Sequence, residues 1–273
     1  MSDMFTQDFI FSALKVSIIM GLLLSYLGVH VVGRGIVFVD LALGQISMLG
    51  VAFANFIGKD VTLISIVFTM VGAFLLSFIK IKDKRLKQEA IIGIVYAFAS
   101  AATVLFISKT AHGESDISEV LFGSLFTVTN DQILTMAIAF GIIGLAHWIF
   151  RKKFFELTEK FENHEVEEIG VFNLWNFLFY LSIGLTIVLA VRSAGVIPVF
   201  SYLIIPPVSA IIISGKKRWM VLIAMTVAVA GSFFGLFFST HFDFPAGSSV
   251  VAVLGAIFGL LGLVRWVKSL VSN

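Results

Sequence analysis

Long apolar stretches follow one another along the whole chain and leave almost no sequence for a water-soluble domain. A helix needs about 20 apolar residues to cross the hydrocarbon core of a bilayer. About nine such stretches are present, at 9–32, 36–57, 62–81, 90–108, 133–150, 174–192, 196–214, 220–240 and 248–267. The sequence therefore predicts an all-α, polytopic transmembrane helical bundle that forms a single domain over residues 1–273.

The composition excludes a soluble enzyme. Only 13% of the residues are charged and 59% are hydrophobic, whereas soluble domains are about one quarter charged. Such a chain has too few polar side chains to cover a water-exposed surface. It contains no cysteine, which rules out disulfides and thiolate metal sites. The net charge of +2 gives no indication of a nucleic-acid partner, and the acidic leader, MSDMFTQD, predicts no cleavable signal peptide.

The basic residues cluster on one side of the predicted bundle. With nine spans, the clusters at 80–87, 151–160, 216–218 and 265–268 fall on the same side as Arg34. Lys and Arg mark the cytoplasmic side of membrane proteins. We therefore expect the N-terminus outside and the C-terminus in the cytoplasm, with membrane lipid as a partner around the bundle.

The predicted cytoplasmic connection, 151–173, is long and charged. Acidic residues alternate there with apolar ones, a pattern that favours one or two short helices with an exposed apolar edge. One interpretation is a solvated loop, the common state of charged segments. The other is a docking element for a cytoplasmic partner, built from Glu156, Phe161, Glu165, Ile169 and Gly170.

The predicted outer connection, 109–131, is acidic. Its side chains include four that ligate hard or borderline cations, namely His112, Glu114, Asp116 and Glu119. A hydrated acidic loop is the commoner state of such groups. The second half of this connection, 121–131, predicts a short helix at the outer interface and then a helix N-cap.

Polar side chains inside spans are costly and mark candidate functional positions. The second span carries Asp40, Gln45, Ser47 and Met48, with Gly44 beside them. One interpretation is a packed helix whose Gln45 hydrogen-bonds to a neighbouring backbone. The other is a helix that lines a translocation path and offers oxygen and thioether groups to an ion. The sequence supports both about equally.

The seventh span contains three of the four prolines in the chain. Pro206 and Pro207 each remove a backbone donor and free a carbonyl, so that the helix is expected to kink. In a bilayer the freed carbonyls need partners from neighbouring protein. The pattern fits either a buried kinked helix or a gate that moves at Pro206 and Pro207.

Several catalytic signatures are missing from the sequence. It has no GxxxxGK[ST] phosphate loop, no HExxH or GxSxG motif, and no potassium-channel filter or arginine-rich voltage sensor. We therefore expect neither enzyme activity nor a cofactor on this chain.

Four stretches, in the same order, resemble the permeases of bacterial metal ABC importers. SMLGVAFA at 47–54 resembles the end of the family's D-x-x-S/A-H-x-x-x-x-G-V-A stretch, and EAIIGIV at 89–95 resembles its E-A-x-I-G-x-V signature. LFGSLFTVTND at 121–131 is similar to its L-F-G-x-x-L-x-V-T-x-x-D element. RSAG at 192–195 with YLIIPPVSA at 202–210 is similar to its V-G-x-x-L-x-x-x-L-L-I-I-P-A-A-x-A block.

The resemblance implies a permease subunit in the bacterial inner membrane that imports a divalent transition metal (zinc, manganese or iron) or a metal complex. It also implies a separate cytoplasmic ABC ATPase that binds the ATP, an extracytoplasmic metal-binding protein, and a homodimer of permeases. The segment 151–173 matches the place of the family's coupling helices, which favours the docking interpretation.

One part of the family's motif is replaced here. Aligned on SMLGVA, the family's metal-contacting Asp falls on Leu41 and its His on Gln45. Asp40 is one residue away, about 100° around the helix. An Asp and a His four residues apart share a face and hold a transition metal, which Leu41 and Gln45 do not do in the same manner. Asp40 and Gln45 are therefore only candidate ligands, and the metal is not assigned.

The sequence thus predicts the membrane permease of a metal ABC importer. The alternative is a stand-alone secondary transporter of a cation or small solute, which the scarcity of carboxylates inside the spans disfavours. A non-transporting membrane scaffold is a third interpretation, disfavoured by the polar second span and the proline-containing seventh.

Overall fold

The computed structural model describes residues 8–79, 88–109, 125–163 and 172–271. Within these ranges the chain forms ten α-helices, one turn of 3-10 helix at Leu125–Thr127, and no β-strand. The predicted all-α architecture is confirmed. The helices are α1 (Asp8–Gly33), α2 (Val39–Ile57), α3 (Val61–Ser77), α4 (Gln88–Ile107), α5 (Asn130–Ile149), α6 (Arg151–Glu162), α7 (Leu174–Ala194), α8 (Val196–Ile213), α9 (Lys217–Phe242) and α10 (Ala246–Val271).

The apolar helices reproduce the predicted spans. Eight of them are long and apolar enough to cross a membrane: α1, α2, α4, α5, α7, α8, α9 and α10. The ninth, α3, has 17 residues, which is the lower limit for a span. Each predicted stretch therefore corresponds to one helix, with ends that differ by a few residues. The sides on which the termini lie stay a prediction.

Helix ends follow the local sequence signals. Thr129 and Gln132 hydrogen-bond reciprocally ahead of α5: the Thr129 N–H donates to Gln132 Oε1 at 3.0 Å, and the Gln132 N–H donates to Thr129 Oγ1 at 3.4 Å. This capping box confirms the N-cap expected there. Gly195, with φ of +84°, separates α7 from α8, because only glycine adopts that backbone conformation without strain.

The chain packs as two compact units. The first contains Met1–Val32, Phe122–Gly141 and Ser193–Asn273, and the second contains Gly33–Leu121 and Ile142–Arg192. The predicted connection 151–173 belongs to the second unit. The assignment of residues 1–273 to a single domain stays a prediction.

In the first unit, α1 and α8 meet backbone to backbone. A Cβ atom at Gly28 would collide with the carbonyl oxygen of Leu203 and lie 2.6 Å from Cγ of Pro207. The Leu203 carbonyl is the one that Pro207 leaves without an intrahelical donor. The α1 backbone at Gly28 therefore covers this freed carbonyl.

The first unit continues through α9 and α10. Tyr202 of α8 is fully buried, and its hydroxyl lies 2.5 Å from the Ser232 hydroxyl of α9. Gly235 of α9 faces α10 so closely that a Cβ there would lie 2.5 Å from Cα of Val250. Small residues thus permit close helix contact, as is usual in membrane bundles.

In the second unit, α2, α3 and α7 pack in the same manner. A Cβ at Gly50 of α2 would lie 2.8 Å from Cα of Ser65 in α3. A Cβ at Gly184 of α7 would lie 3.3 Å from Cβ of Ala73 in α3. The three helices form the part of this unit that carries the polar residues of α2.

Several helices expose rows of large apolar side chains. Such surfaces suit lipid, where they remain outside water without a protein partner. Among the exposed residues are Leu63 and Leu75 on α3, Ile94, Phe98 and Leu105 on α4, Leu134, Ile142 and Trp148 on α5, and Leu260, Leu263 and Trp266 on α10.

The contact at Gly28 makes a direct prediction. Gly28→Ala is expected to lower the thermal midpoint of the detergent-purified protein, because the added methyl group meets backbone, and overpacking costs about 1–3 kcal/mol. Gly255→Ala is the matched control, since nothing lies within 4 Å of a Cβ at that helical position. Equal thermal midpoints for the two variants would contradict the close α1–α8 contact.

Candidate functional site

The candidate path residues of α2 are all buried. Asp40 in the first turn is 3% exposed, and Gln45, Ser47 and Met48 are also inaccessible. The side chains predicted to line a translocation path are therefore buried within the protein. Leu41, which the sequence comparison predicts at the position of the family's metal-contacting Asp, is only partly buried.

Asp40 is an unusual carboxyl group. Its Oδ1 atom has no hydrogen-bond partner among the described residues. A buried polar atom without a hydrogen-bond partner is destabilising in an apolar environment, and the cost is larger when the group is charged. Such a group is retained where a function requires it, and a cation is one partner that would compensate it.

The candidates divide between two faces of α2. Asp40, Gly44 and Ser47 are spaced i, i+4 and i+7 and share one face, whereas Gln45 lies about 140° around the helix from Asp40. Gly44 faces α7, where a Cβ at Gly44 would lie 4.0 Å from Cγ2 of Ile187. Asp40 and Gln45 of one α2 therefore do not form a single ligand pair.

The described residues contain no group of three or more His, Cys, Asp or Glu side chains that would hold a metal ion. The outer-loop candidates His112, Glu114, Asp116 and Glu119 lie outside the described residues.

The residues that precede α2 are tied to α4. The Val37 N–H donates a hydrogen bond to Oε1 of Glu89 at 3.1 Å. Glu89 lies in the first turn of α4 and belongs to the EAIIGIV stretch. The contact explains what this carboxylate does locally: it fixes the turn from which α2 begins.

Arg34, in the same turn, makes a set of buried contacts that sequence reasoning missed. Its side chain is 6% exposed. Nε donates to Oγ1 of Thr158 on α6, and Nη1 donates to Oδ1 of Asn176 on α7, both at 3.1 Å. The guanidinium carbon lies 3.5 Å from the ring centroid of Phe179, a cation–π distance.

Asn176 extends this polar cluster to α3. Its Nδ2 donates to the Ser77 carbonyl at 2.8 Å, at the last residue of α3. At the start of α4, Nε2 of Gln88 donates to the Tyr180 hydroxyl at 2.8 Å and to the Ile79 carbonyl at 3.0 Å. The ends of α2, α3, α4, α6 and α7 are therefore joined by hydrogen bonds within the second unit.

The helix α6 occupies the start of the predicted docking segment. One face is buried, with Phe154, Leu157, Thr158 and Phe161 at i, i+3, i+4 and i+7. The expectation of an exposed apolar edge is wrong for this part of the segment: Phe161 is 7% exposed and packs with Leu157 and Trp175. The apolar residues hold α6 onto the second unit, because burying them there removes them from water.

The opposite face of α6 is charged and accessible. Glu156 is 57% exposed and lies 3.7 Å from Nζ of Lys153. Glu165, Ile169 and Gly170, the other predicted docking residues, lie outside the described residues. Of the predicted set, Glu156 alone is described and exposed.

The candidate gate residues lie inside α8. The helix extends without interruption from Val196 to Ile213 through Pro206 and Pro207, both of which are buried. Nearby hydroxyls pair with local carbonyls: Ser209 donates to the Ile205 carbonyl at 2.8 Å. Motion at the prolines stays a prediction.

The ABC 3 transport family matches residues 6–265 of this chain. The manganese transport system membrane protein MntC of Listeria innocua is 29% identical over 253 residues, which cover 92% of this chain and 88% of that protein. The manganese import system permease protein ScaB of Streptococcus gordonii is 26% identical over 253 residues, 92% of this chain and 89% of that protein.

A solved structure, that of PsaBC from Streptococcus pneumoniae in complex with Fab, is 26% identical to the chain. The alignment covers 95% of this chain and 93% of that chain, with a TM-score of 0.78. The match over almost the full length of the chain agrees with the helix order described above. The chain belongs to the ABC 3 transport family and is the multi-pass membrane subunit of a bacterial ABC importer.

Proposed function

We propose that this chain is the permease of an importer for a divalent transition metal, with manganese as the first candidate. The observation that carries the proposal is the full-length similarity to membrane proteins named for manganese transport. The chain works as a homodimer with a cytoplasmic ATPase and an extracytoplasmic metal-binding protein. ATP binds to the ATPase, and this chain binds no cofactor of its own.

The ligand chemistry of α2 supports manganese over zinc. The buried Asp40 supplies carboxylate oxygen, Gln45 an amide oxygen and Ser47 a hydroxyl. Carboxylate and carbonyl oxygens suit Mn²⁺, whereas zinc sites favour His and Cys. Gln45 takes the place of the family's metal-contacting His, so the imidazole nitrogen of that motif is replaced by an amide oxygen. The thioether of Met48, near Gln45 on the same helix, is a softer ligand and does not contribute to this preference.

The separation of the candidate ligands on α2 favours transport of an ion over its tight binding. Asp40 and Gln45 lie on different faces of α2, so that no tight chelate forms from one copy of this helix. A transported ion needs sites that bind it strongly enough for it to enter and weakly enough for it to leave. The buried polar residues of α2 fit such a series of weak contacts.

The exposed charged face of α6 is the proposed contact for the ATPase. Glu156 is its described member, and Glu165, Ile169 and Gly170 continue the segment in sequence. Phe161 contributes indirectly, by holding α6 on the second unit. In this proposal, ATP-driven closure of the ATPase dimer displaces α6, and Pro206 and Pro207 allow α8 to adjust when the path opens to the other side.

Reconstitution tests the function itself. Proteoliposomes that contain the chain and its ATPase, supplied with the binding protein, are expected to accumulate ⁵⁴Mn²⁺ only when ATP is hydrolysed. Competition with unlabelled Fe²⁺ and Zn²⁺ measures the selectivity. Uptake by the chain alone, driven by an ion gradient and indifferent to ATP, would instead identify a secondary transporter.

The role of Asp40 is tested by removing its charge. Asp40→Asn is expected to reduce ATP-driven Mn²⁺ uptake about tenfold or more, equivalent to about 1.4 kcal/mol, because the neutral amide attracts a cation less strongly. Asp60→Asn is the matched control: Asp60 is exposed and caps α3 by accepting from the Leu63 N–H, and Asn caps a helix equally well. Wild-type uptake in Asp40→Asn would remove α2 from the path.

The ATPase contact is tested by a charge reversal. Glu156→Lys is expected to reduce the amount of ATPase that co-purifies with the chain without changing its thermal midpoint, because exposed ion pairs contribute little to stability. Asp131→Lys, an exposed acidic position in the first turn of α5, is the control that should retain the ATPase. Full ATPase recovery with Glu156→Lys would place the contact elsewhere.

A further inference from the structure

We propose that Arg34 is the positioning residue that transmits displacement of α6 to α2. The inference rests on the proposed function, in which the ATPase moves α6 and α2 carries the path residues. It names the physical connection between the two helices. It also assigns a role to a buried arginine that neither ligand binding nor ATPase docking explains.

The first observation is the set of contacts that hold the guanidinium. Arg34 is buried against three partners on two helices: Thr158 on α6, and Asn176 and Phe179 on α7. The ring of Phe161 on α6 lies 5.4 Å from its guanidinium carbon. A planar guanidinium that stacks on one ring and donates to two oxygens is fixed in position and in orientation.

The second observation is that α6 contacts Gly33, the last residue of α1 and the one before Arg34. A Cβ at Gly33 would lie 2.9 Å from Cγ2 of Thr158, so the α6 helix packs against the backbone next to Arg34. The Thr158 hydroxyl accepts from Arg34 and donates to the Phe154 carbonyl of α6 at 2.9 Å. Thr158 cannot move with α6 without changing its contacts with Arg34.

The third observation is that two hydrogen bonds hold the connection from Arg34 to α2. The Val39 N–H donates to the Ile36 carbonyl at 3.0 Å, and the Val37 N–H is held by Glu89. Ile36 is buried. α2 begins at Val39, so that a shift of the turn passes into the helix that carries Asp40 in its first turn.

These contacts connect α6 to α2 in three steps. Displacement of α6 acts on Thr158, Thr158 acts on the Arg34 guanidinium, and Arg34 acts on the turn that starts α2. Closely packed elements shift as units when one contact is displaced, because packed interiors deform little. Arg34 thus converts ATPase movement into a change at the path.

Two variants test this role and disturb packing as little as possible. Arg34→Lys keeps the charge but loses the planar fork that reaches two partners and stacks on a ring. Thr158→Val keeps the shape and removes the hydroxyl that Arg34 donates to. Thr103→Val is the matched control: its hydroxyl is also buried in the second unit, and it donates to the Ala99 carbonyl of its own helix.

The primary readout is the number of Mn²⁺ ions transported for each ATP hydrolysed by the reconstituted complex. We expect Arg34→Lys and Thr158→Val to lower this ratio about fivefold or more, the lower end of the usual range of coupling between sites. Thr103→Val should keep the wild-type ratio. A double variant should be no worse than the more affected single variant, because the two side chains act through one contact.

A structural role alone has a different signature. It would lower the thermal midpoint and reduce ATP hydrolysis and uptake in the same proportion, with an unchanged ratio. That result, or a wild-type ratio in both variants, would overturn the proposal. Absence of ATP-driven Mn²⁺ uptake by the wild-type complex would instead overturn the proposed function.

A second measurement tests Arg34 independently of the transported substrate. The chain has no cysteine, so that Phe38→Cys, at an exposed position just before α2, accepts a single spin label. In the complex with its ATPase, we expect ATP to change the mobility of this label, and Arg34→Lys to abolish the change. An equal ATP response with Arg34 and with Lys at position 34 would contradict the proposal.

Discussion

The cost of burying polar groups in an apolar environment constrains every part of this chain. Where the prolines of α8 free a carbonyl at Leu203, the α1 backbone at Gly28 covers it. Where the Arg34 guanidinium is buried, two hydrogen bonds and an aromatic ring surround it. Asp40 differs from Arg34 in carrying a carboxyl group, and its Oδ1 atom is one of six buried side-chain atoms that have no hydrogen-bond partner among the described residues. This buried carboxyl oxygen lies on the helix proposed to carry a cation.

The compensated and uncompensated groups have different roles. The Arg34 guanidinium is held by two hydrogen bonds and an aromatic ring, which suits a connection that passes displacement from α6 to α2. The polar residues of α2 are separate and weakly held, which suits an ion that must enter and leave. A chain with tight ligands on α2 and a loose connection at Arg34 would bind metal without coupling its release to ATP.

The long apolar stretches are sufficient to predict the helices, because a run of about 20 apolar residues rarely forms anything other than a membrane-spanning helix. They are not sufficient for α6. The spacing of Phe154, Leu157 and Phe161 shows that these residues share a face, but only tertiary packing shows that the face is buried. From the sequence, Arg34 indicates only the side of the membrane. Its contacts could not be predicted, because its partners Thr158 and Asn176 are more than 120 residues away in sequence. Asp40 was identified because a carboxylate inside a span is rare.

Cellular metal content tests the central claim most directly. In a strain that lacks this chain, we expect cellular manganese, measured by mass spectrometry in manganese-poor medium, to fall while zinc stays unchanged, and the wild-type chain to restore it. Iron measured in the same samples shows whether the second candidate metal is also carried. Unchanged manganese together with a fall in zinc would contradict the oxygen-ligand path along α2 and the assignment of this permease to manganese.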